Sequence, residues 1–160
     1  MINFQDLYES YGDEVYRFAL WLSGNRLEAE DITSETFIRA WVHSSKIRTE
    51  TLKAYLFTIS RNLYLQHQRK KKRQVVLEDV HPDPAPGPDI LTESQFKLER
   101  VQKILQTLPE IDRTAFVLRV QHELPYDEIA RILELSFTAT KVKVYRVRKK
   151  LIVTCIDKEA

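Results

Sequence analysis

LPYDEIARILELSFTATKVKVYRVRKKL, residues 124–151, decides how this chain folds and what it can touch. Pro125 suits the start of a helix, because the amide proton it lacks would go unpaired in the first turn. Ile129, Ala130 and Leu133 then share one face of a short helix. The turn Glu134, Leu135, Ser136 follows, with Ser136 placed as N-cap of a last helix. On that helix Thr140, Val144, Val147 and Leu151 recur at steps of four, three and four, which makes a buried stripe. At about 100° per residue, Thr138, Val142, Tyr145, Arg146 and Lys149 lie opposite the stripe, flanked by Lys141, Lys143, Arg148 and Lys150. A capped helix, a short turn and a second helix with a cationic outer face form a helix-turn-helix. Its flanking cations suit phosphates on either strand of a duplex, and its central residues suit base edges. Arg146 matches guanine and Val142 a thymine methyl group. Basic residues late in a helix also complement the macrodipole; the helix and turn ahead of this face are what favour DNA.

Upstream, Pro109 can serve as the first residue of a helix, Glu110 to about His122, and Thr92 with Gln95 forms a capping box for a helix carrying Phe96, Leu98, Val101, Ile104, Leu105 and Leu108. Four of the six prolines and one of the three glycines fall within HPDPAPGPD, residues 81–89, which reads as an extended acidic linker over 74–91. Before it, Phe4, Leu7, Tyr8, Tyr11, Val15, Phe18 and Leu22 share the face of a first helix that ends at Gly24 and Asn25. A second helix, about Leu27 to Val42, places Ala29, Ile32, Thr36, Phe37, Ala40 and Trp41 inward and Glu28, Asp31, Glu35 and Arg39 outward. The loop SSKIRTE leads into a third helix that starts near Thr51 and runs into the basic residues Arg69 to Arg73. No strand signal competes. The predicted fold is all-α: two small helical domains, 1–73 and 92–160, joined by a Pro-rich linker.

The net charge of +2 hides a strong asymmetry. Residues 41–73 hold nine basic residues against one acidic, and 131–160 eight against three, while the remaining stretches are net acidic. Two separate surfaces therefore suit a polyanion. In the first block Trp41, Tyr55, Phe57 and Tyr64 are interleaved with Lys46, Arg48, Lys53 and Arg61, a mixture that suits unstacked bases and a single-strand backbone, although most such aromatics are core. Glu35 and Arg39 by themselves are an ordinary i,i+4 surface pair.

The bulk properties exclude other classes. A single cysteine, Cys155, cannot close an internal disulfide, and His43, His67, His81 and His122 lack metal-ligand spacing. Asp6, Glu9, Asp13 and Glu14 interrupt any signal-like apolar stretch, and no apolar run nears the roughly 20 residues of a membrane span. The expectation is a reduced cytoplasmic protein with no metal, no cofactor, no catalytic residues and no membrane insertion. A small nuclease would need clustered carboxylates near a basic groove, and none is evident.

Taken together, three segments resemble the small sigma-70-type RNA polymerase sigma factors of the extracytoplasmic-function group, which retain only regions 2 and 4. AEDITSETFIRAW, 29–41, is similar to region 2.2; LKAYLFTISRNLYLQHQRKKKR, 52–73, to regions 2.3 to 2.4; and LPEIDRTAFVLRVQHELPYDEIARILELS, 108–136, with the following helix, to region 4. The resemblance implies a promoter-recognition subunit whose partners are promoter DNA, core polymerase through its β′ clamp coiled coil and β flap, and commonly an anti-sigma factor. Asp31, Glu35, Phe37, Arg39 and Trp41 would then face the clamp. Lys46 and Arg48 in the loop 44–50, with Tyr55, Arg61 and Asn62, would melt and hold the minus-10 element. Lys141, Val142, Lys143, Tyr145 and Arg146 would read the minus-35 element. The chain departs from the family pattern at Ser34, Gln66, Glu134 and Thr138 to Thr140; at Glu134 the family often has Gly, so a left-handed backbone there would strain Glu by on the order of 1 kcal/mol. The alternative reading is a free-standing regulator that binds an inverted repeat as a symmetric dimer.

Overall fold

The computed structural model describes residues 3–43, 52–77 and 92–159, and among these are seven α-helices and no strand. They are α1 (Phe4–Ser23), α2 (Arg26–Val42), α3 (Leu52–Leu77), α4 (Glu93–Gln106), α5 (Glu110–Val120), α6 (Tyr126–Leu133) and α7 (Phe137–Glu159). The loop with Lys46 and Arg48 lies outside the described residues, as does the expected linker from residue 78 to 91; its first four residues, 74–77, are helical instead of extended.

Local chemistry explains the boundaries. Asn3 and Asn25 cap α1 and α2 by accepting the amides of Gln5 and Glu28, each at 3.0 Å. Gly24 ends α1 at φ 67°, and an added Cβ there would lie 3.4 Å from the Gln106 amide. Thr92 and Gln95 form the expected capping box, with reciprocal bonds of 3.3 and 2.9 Å. Pro109 and Pro125 sit at the N-cap of α5 and α6, one position before the first helical residue. Helix α5 stops at Val120, short of the expected His122; Glu123, at φ 55°, turns the chain toward Pro125. Helix α3 continues past Arg73 to Leu77, since no Gly or Pro interrupts that stretch.

Helices α1, α2 and α3 form a bundle in which Leu7, Val15, Phe37, Ala40, Leu52 and Leu56 make one apolar cluster. A buried hydroxyl pair, Thr36 and Ser60 at 3.0 Å, joins α2 to α3. A second cluster has a different reach: Phe18, Leu22, Phe57, Leu63 and Tyr64 of this bundle are continuous with Leu105, Val117, Leu118, Ile129, Val144 and Val147 of the C-terminal helices. The two halves therefore share one apolar core.

Several readings of single faces change accordingly. Glu28, expected outward, is buried and paired with Lys71 Nζ at 2.6 Å, because α3 passes over it. Trp41, expected inward, is exposed and packs edge-on against Phe4 at 5.9 Å. Phe57 and Tyr64, weighed as base-stacking groups, are core residues. Of the apolar residues of α4, Phe96 and Leu98 are exposed, since α4 engages its neighbours through its second half around Leu105.

Candidate nucleic-acid interface

The helix-turn-helix forms as the sequence implies. Ser136 Oγ accepts the amide of Ala139 at 3.1 Å, and Glu134 is left-handed at φ 56°, ψ 44°, which lets the Leu135 amide reach Ala130 O at 2.9 Å. Thr140, Val144 and Val147 are buried against α5 and α6. Opposite them Lys141, Val142, Tyr145, Arg146, Arg148, Lys149 and Lys150 are exposed. Lys143 is half-buried and pairs with Asp112 of α5 at 3.0 Å, so it braces the helix instead of standing free on its flank. Sequence reasoning missed a cluster beside this face. Arg119 stacks on the Tyr126 ring at 4.2 Å, Tyr126 meets Phe137 edge-on at 6.0 Å, and the Lys141 ammonium lies 5.3 and 5.7 Å from the two ring centroids.

On the N-terminal bundle, Asp31 is exposed, and Glu35 and Arg39 form a half-exposed i,i+4 pair at 3.0 Å on the same helix. Phe37 departs from the set expected at a partner surface: it is fully buried, with its ring against Tyr8 at 5.2 Å, because its spacing from Ala40 points it into the bundle. Its role there is to hold α2 in place.

Tyr55, Arg61 and Asn62 lie along α3, with Asn62 exposed. The C-terminal helices pack over part of this surface. Arg61 makes a two-pronged ion pair with Glu110 of α5, at 2.8 and 3.1 Å, and Tyr55 lines a cleft of about 230 Å³ with Glu128, Arg131 and Ile132 of α6. Lys53 Nζ donates to His122 O at 3.1 Å and pairs with Glu14 at 3.1 Å. The Gln106 side chain donates to Trp21 O and Leu22 O, each at 3.1 Å, satisfying carbonyls the end of α1 leaves unpaired. Gln102 adds a second donor at 3.0 Å to Leu20 O, which already takes the Gly24 amide.

Two titratable groups are trapped in this contact. Arg113, buried and without a carboxylate among the described residues, donates to Tyr64 Oη at 2.8 Å; burial pushes the Tyr64 hydroxyl above its ordinary pKa. His122 packs between Phe18 and Phe57, at centroid distances of 5.8 and 4.7 Å, and burial lowers its pKa to about 4. The sequence offered no signal for either, since a lone His or Arg has no periodic partner.

Residues 7–74 match the family described as Sigma-70 region 2, and residues 98–151 match Sigma-70, region 4. SigW of Bacillus subtilis, an ECF RNA polymerase sigma factor, is 30% identical across 92% of this chain and 86% of its own length. The chain belongs to the ECF RNA polymerase sigma factors. SigM of the same organism is 29% identical across 91% of each chain. Among solved structures, the sigma factor RpoE from Bartonella quintana, in complex with the anti-sigma factor NepR, superposes with a TM-score of 0.75 at 27% identity, covering 92% of this chain and 93% of its own. This sigma factor is a promoter-recognition subunit of bacterial RNA polymerase, and a free-standing dimeric regulator is not favoured, because both sigma regions are present. Sigma factors initiate transcription and are not enzymes. No described helix is long and apolar enough to cross a membrane.

Proposed function

We propose that the sigma factor divides its work among three surfaces. Asp31, Glu35, Arg39 and Trp41 on α2 contact the β′ clamp coiled coil, with Phe37 supporting them from below. Tyr55, Arg61 and Asn62 on α3, with Lys46 and Arg48 of the preceding loop, engage the minus-10 element as its strands part. Lys141, Val142, Tyr145 and Arg146 on α7 enter the major groove of the minus-35 element, with Lys143 bracing the helix, while the same domain contacts the β flap.

The observation that carries this reading is the exposed cationic face of α7, standing on a capped helix-turn-helix and opposite a fully packed stripe. The family's region 2 and region 4, both present in one chain, supply the rest. Catalysis belongs to core polymerase, and the compartment is the cytoplasm. An anti-sigma factor is a partner of the same proposal, by analogy with the RpoE complex.

Reconstitution with core polymerase on a library of genomic fragments tests it. Transcripts should start at a limited set of sites and disappear without the sigma factor. A chain that supports no promoter-dependent transcript, yet footprints an inverted repeat as a stable dimer, overturns it.

A further inference from the structure

Arg61 belongs to the proposed minus-10 surface, yet its guanidinium is already occupied. Glu110 of α5 takes it in two bonds, at 2.8 and 3.1 Å, and only 15% of the Arg61 side chain is exposed. That carboxylate is fixed in place: Thr114 Oγ1 donates to it at 2.8 Å, and the first turn of a helix stabilises a negative charge. A carboxylate that meets a guanidinium in two parallel bonds uses the geometry a DNA phosphate would use. Neighbouring residues of α3 are covered from the same side. Lys53 donates to His122 O, and Tyr55 shares a cleft with Glu128, Arg131 and Ile132.

The same turn of α5 also reaches the minus-35 helix. Asp112, two residues beyond Glu110, pairs with Lys143 of α7 at 3.0 Å. The Arg61 guanidinium and the Lys143 ammonium therefore lie within roughly 20 Å of each other, a reach set by two Cα steps of about 3.8 Å, two acidic side chains and two ion pairs. The two promoter elements, as their names state, are roughly 25 base pairs apart, which is roughly 85 Å of duplex at about 3.4 Å per pair. One molecule in this arrangement cannot hold both.

We propose that the packed arrangement is an autoinhibited form of the sigma factor, in which Glu110 stands in for a DNA phosphate at Arg61 and latches the C-terminal helices over the minus-10 surface. Core polymerase, by holding the two halves apart, withdraws Glu110 and frees Arg61, so the unbound chain is kept off single-stranded DNA. This rests on the minus-10 role of Arg61 and adds its regulation. Glu110 itself contacts no DNA and takes no part in the opened complex.

The test compares the free full-length chain with its complex with core polymerase. The probe is a fluorescent single strand carrying the minus-10 element, recovered by selection on that complex. The native free chain should bind it at least about tenfold more weakly than the complex does; equal affinity would overturn the proposal whatever the variants do. Glu110→Gln, which keeps the shape and removes the charge, should let the free chain bind about tenfold more tightly, the lower value of a charge-assisted hydrogen bond, and should leave the complex unchanged. Glu99→Gln, at an exposed position of α4, sets the background for a less acidic chain and should change binding less than about twofold. Adding Arg61→Ala to Glu110→Gln should abolish the gain. Melting curves of each variant report folding. A folded Glu110→Gln chain that binds no better than Glu99→Gln, or a gain that survives Arg61→Ala, would remove the latch while leaving minus-10 recognition intact. If Arg61→Ala alone does not weaken strand binding by the polymerase complex, the underlying role of Arg61 falls, and the proposal with it.

Discussion

Acidification should pry the two halves of this sigma factor apart, and His122 sets the scale. Its ring is buried between Phe18 and Phe57, and its pKa falls from 6.5 to about 4, chiefly because burial penalises the imidazolium. Glu14 faces Nδ1 from 3.9 Å and opposes that shift, whereas Lys53 and Arg17 reinforce it. When the halves separate, the imidazole meets water and recovers an ordinary pKa. The separated state then binds more protons between pH 6.5 and 4, so the closed state loses stability as pH falls through that window. The gap corresponds to about 2 kcal/mol at pH 5, or about a 30-fold shift toward the open form, and approaches about 3 kcal/mol below pH 4. Above pH 6.5 the contribution is constant. Small-angle X-ray scattering from pH 7.5 to 4.5 should show the radius of gyration rising, and His122→Phe should flatten the response. An unchanged radius in the native chain, or an identical titration in a folded His122→Phe, would refute the assignment to His122.

Other perturbations test the remaining links. Glu134→Gly should stabilise the chain by about 1 kcal/mol in chemical denaturation, because glycine accepts the left-handed backbone freely; a loss of stability would show that the turn is not strained. Phe57→Ala, at a fully packed site that touches both halves, should cost about 3 to 5 kcal/mol by the same measure, and less than about 1 kcal/mol would contradict the packing. Arg146→Ala should weaken binding to a selected minus-35 duplex by roughly 1 to 3 kcal/mol and relax its base preference; undiminished selectivity would remove Arg146 from the reading set. Replacing Asp31 and Glu35 together by Lys should impair assembly with core polymerase and spare binding to the minus-35 duplex. A parallel fall in both would indicate misfolding.

Periodicity, capping residues and prolines were enough to read the helices from the sequence, because they act over one or two turns. The stripe Thr140, Val144, Val147 and the outward face of α7 follow from spacing alone, whereas the left-handed turn at Glu134 was suggested only by the glycine that the resembling family often has there. Faces met by more than one neighbour were not legible. Glu28 is buried because α3 crosses α2, Phe57 and Tyr64 because the C-terminal helices cover α3, and Lys143 is engaged because Asp112 stands opposite it. Partners distant in sequence, such as Arg61 with Glu110 or His122 with Phe18, are brought together by chain topology, and local patterns carry no record of it. Sequence by itself therefore determined an all-α chain whose last helix stands on a helix-turn-helix with a cationic outer face. Tertiary structure decided which of its cations stand free and which are held across one continuous core, because burial depends on what lies opposite a face and not on the face alone.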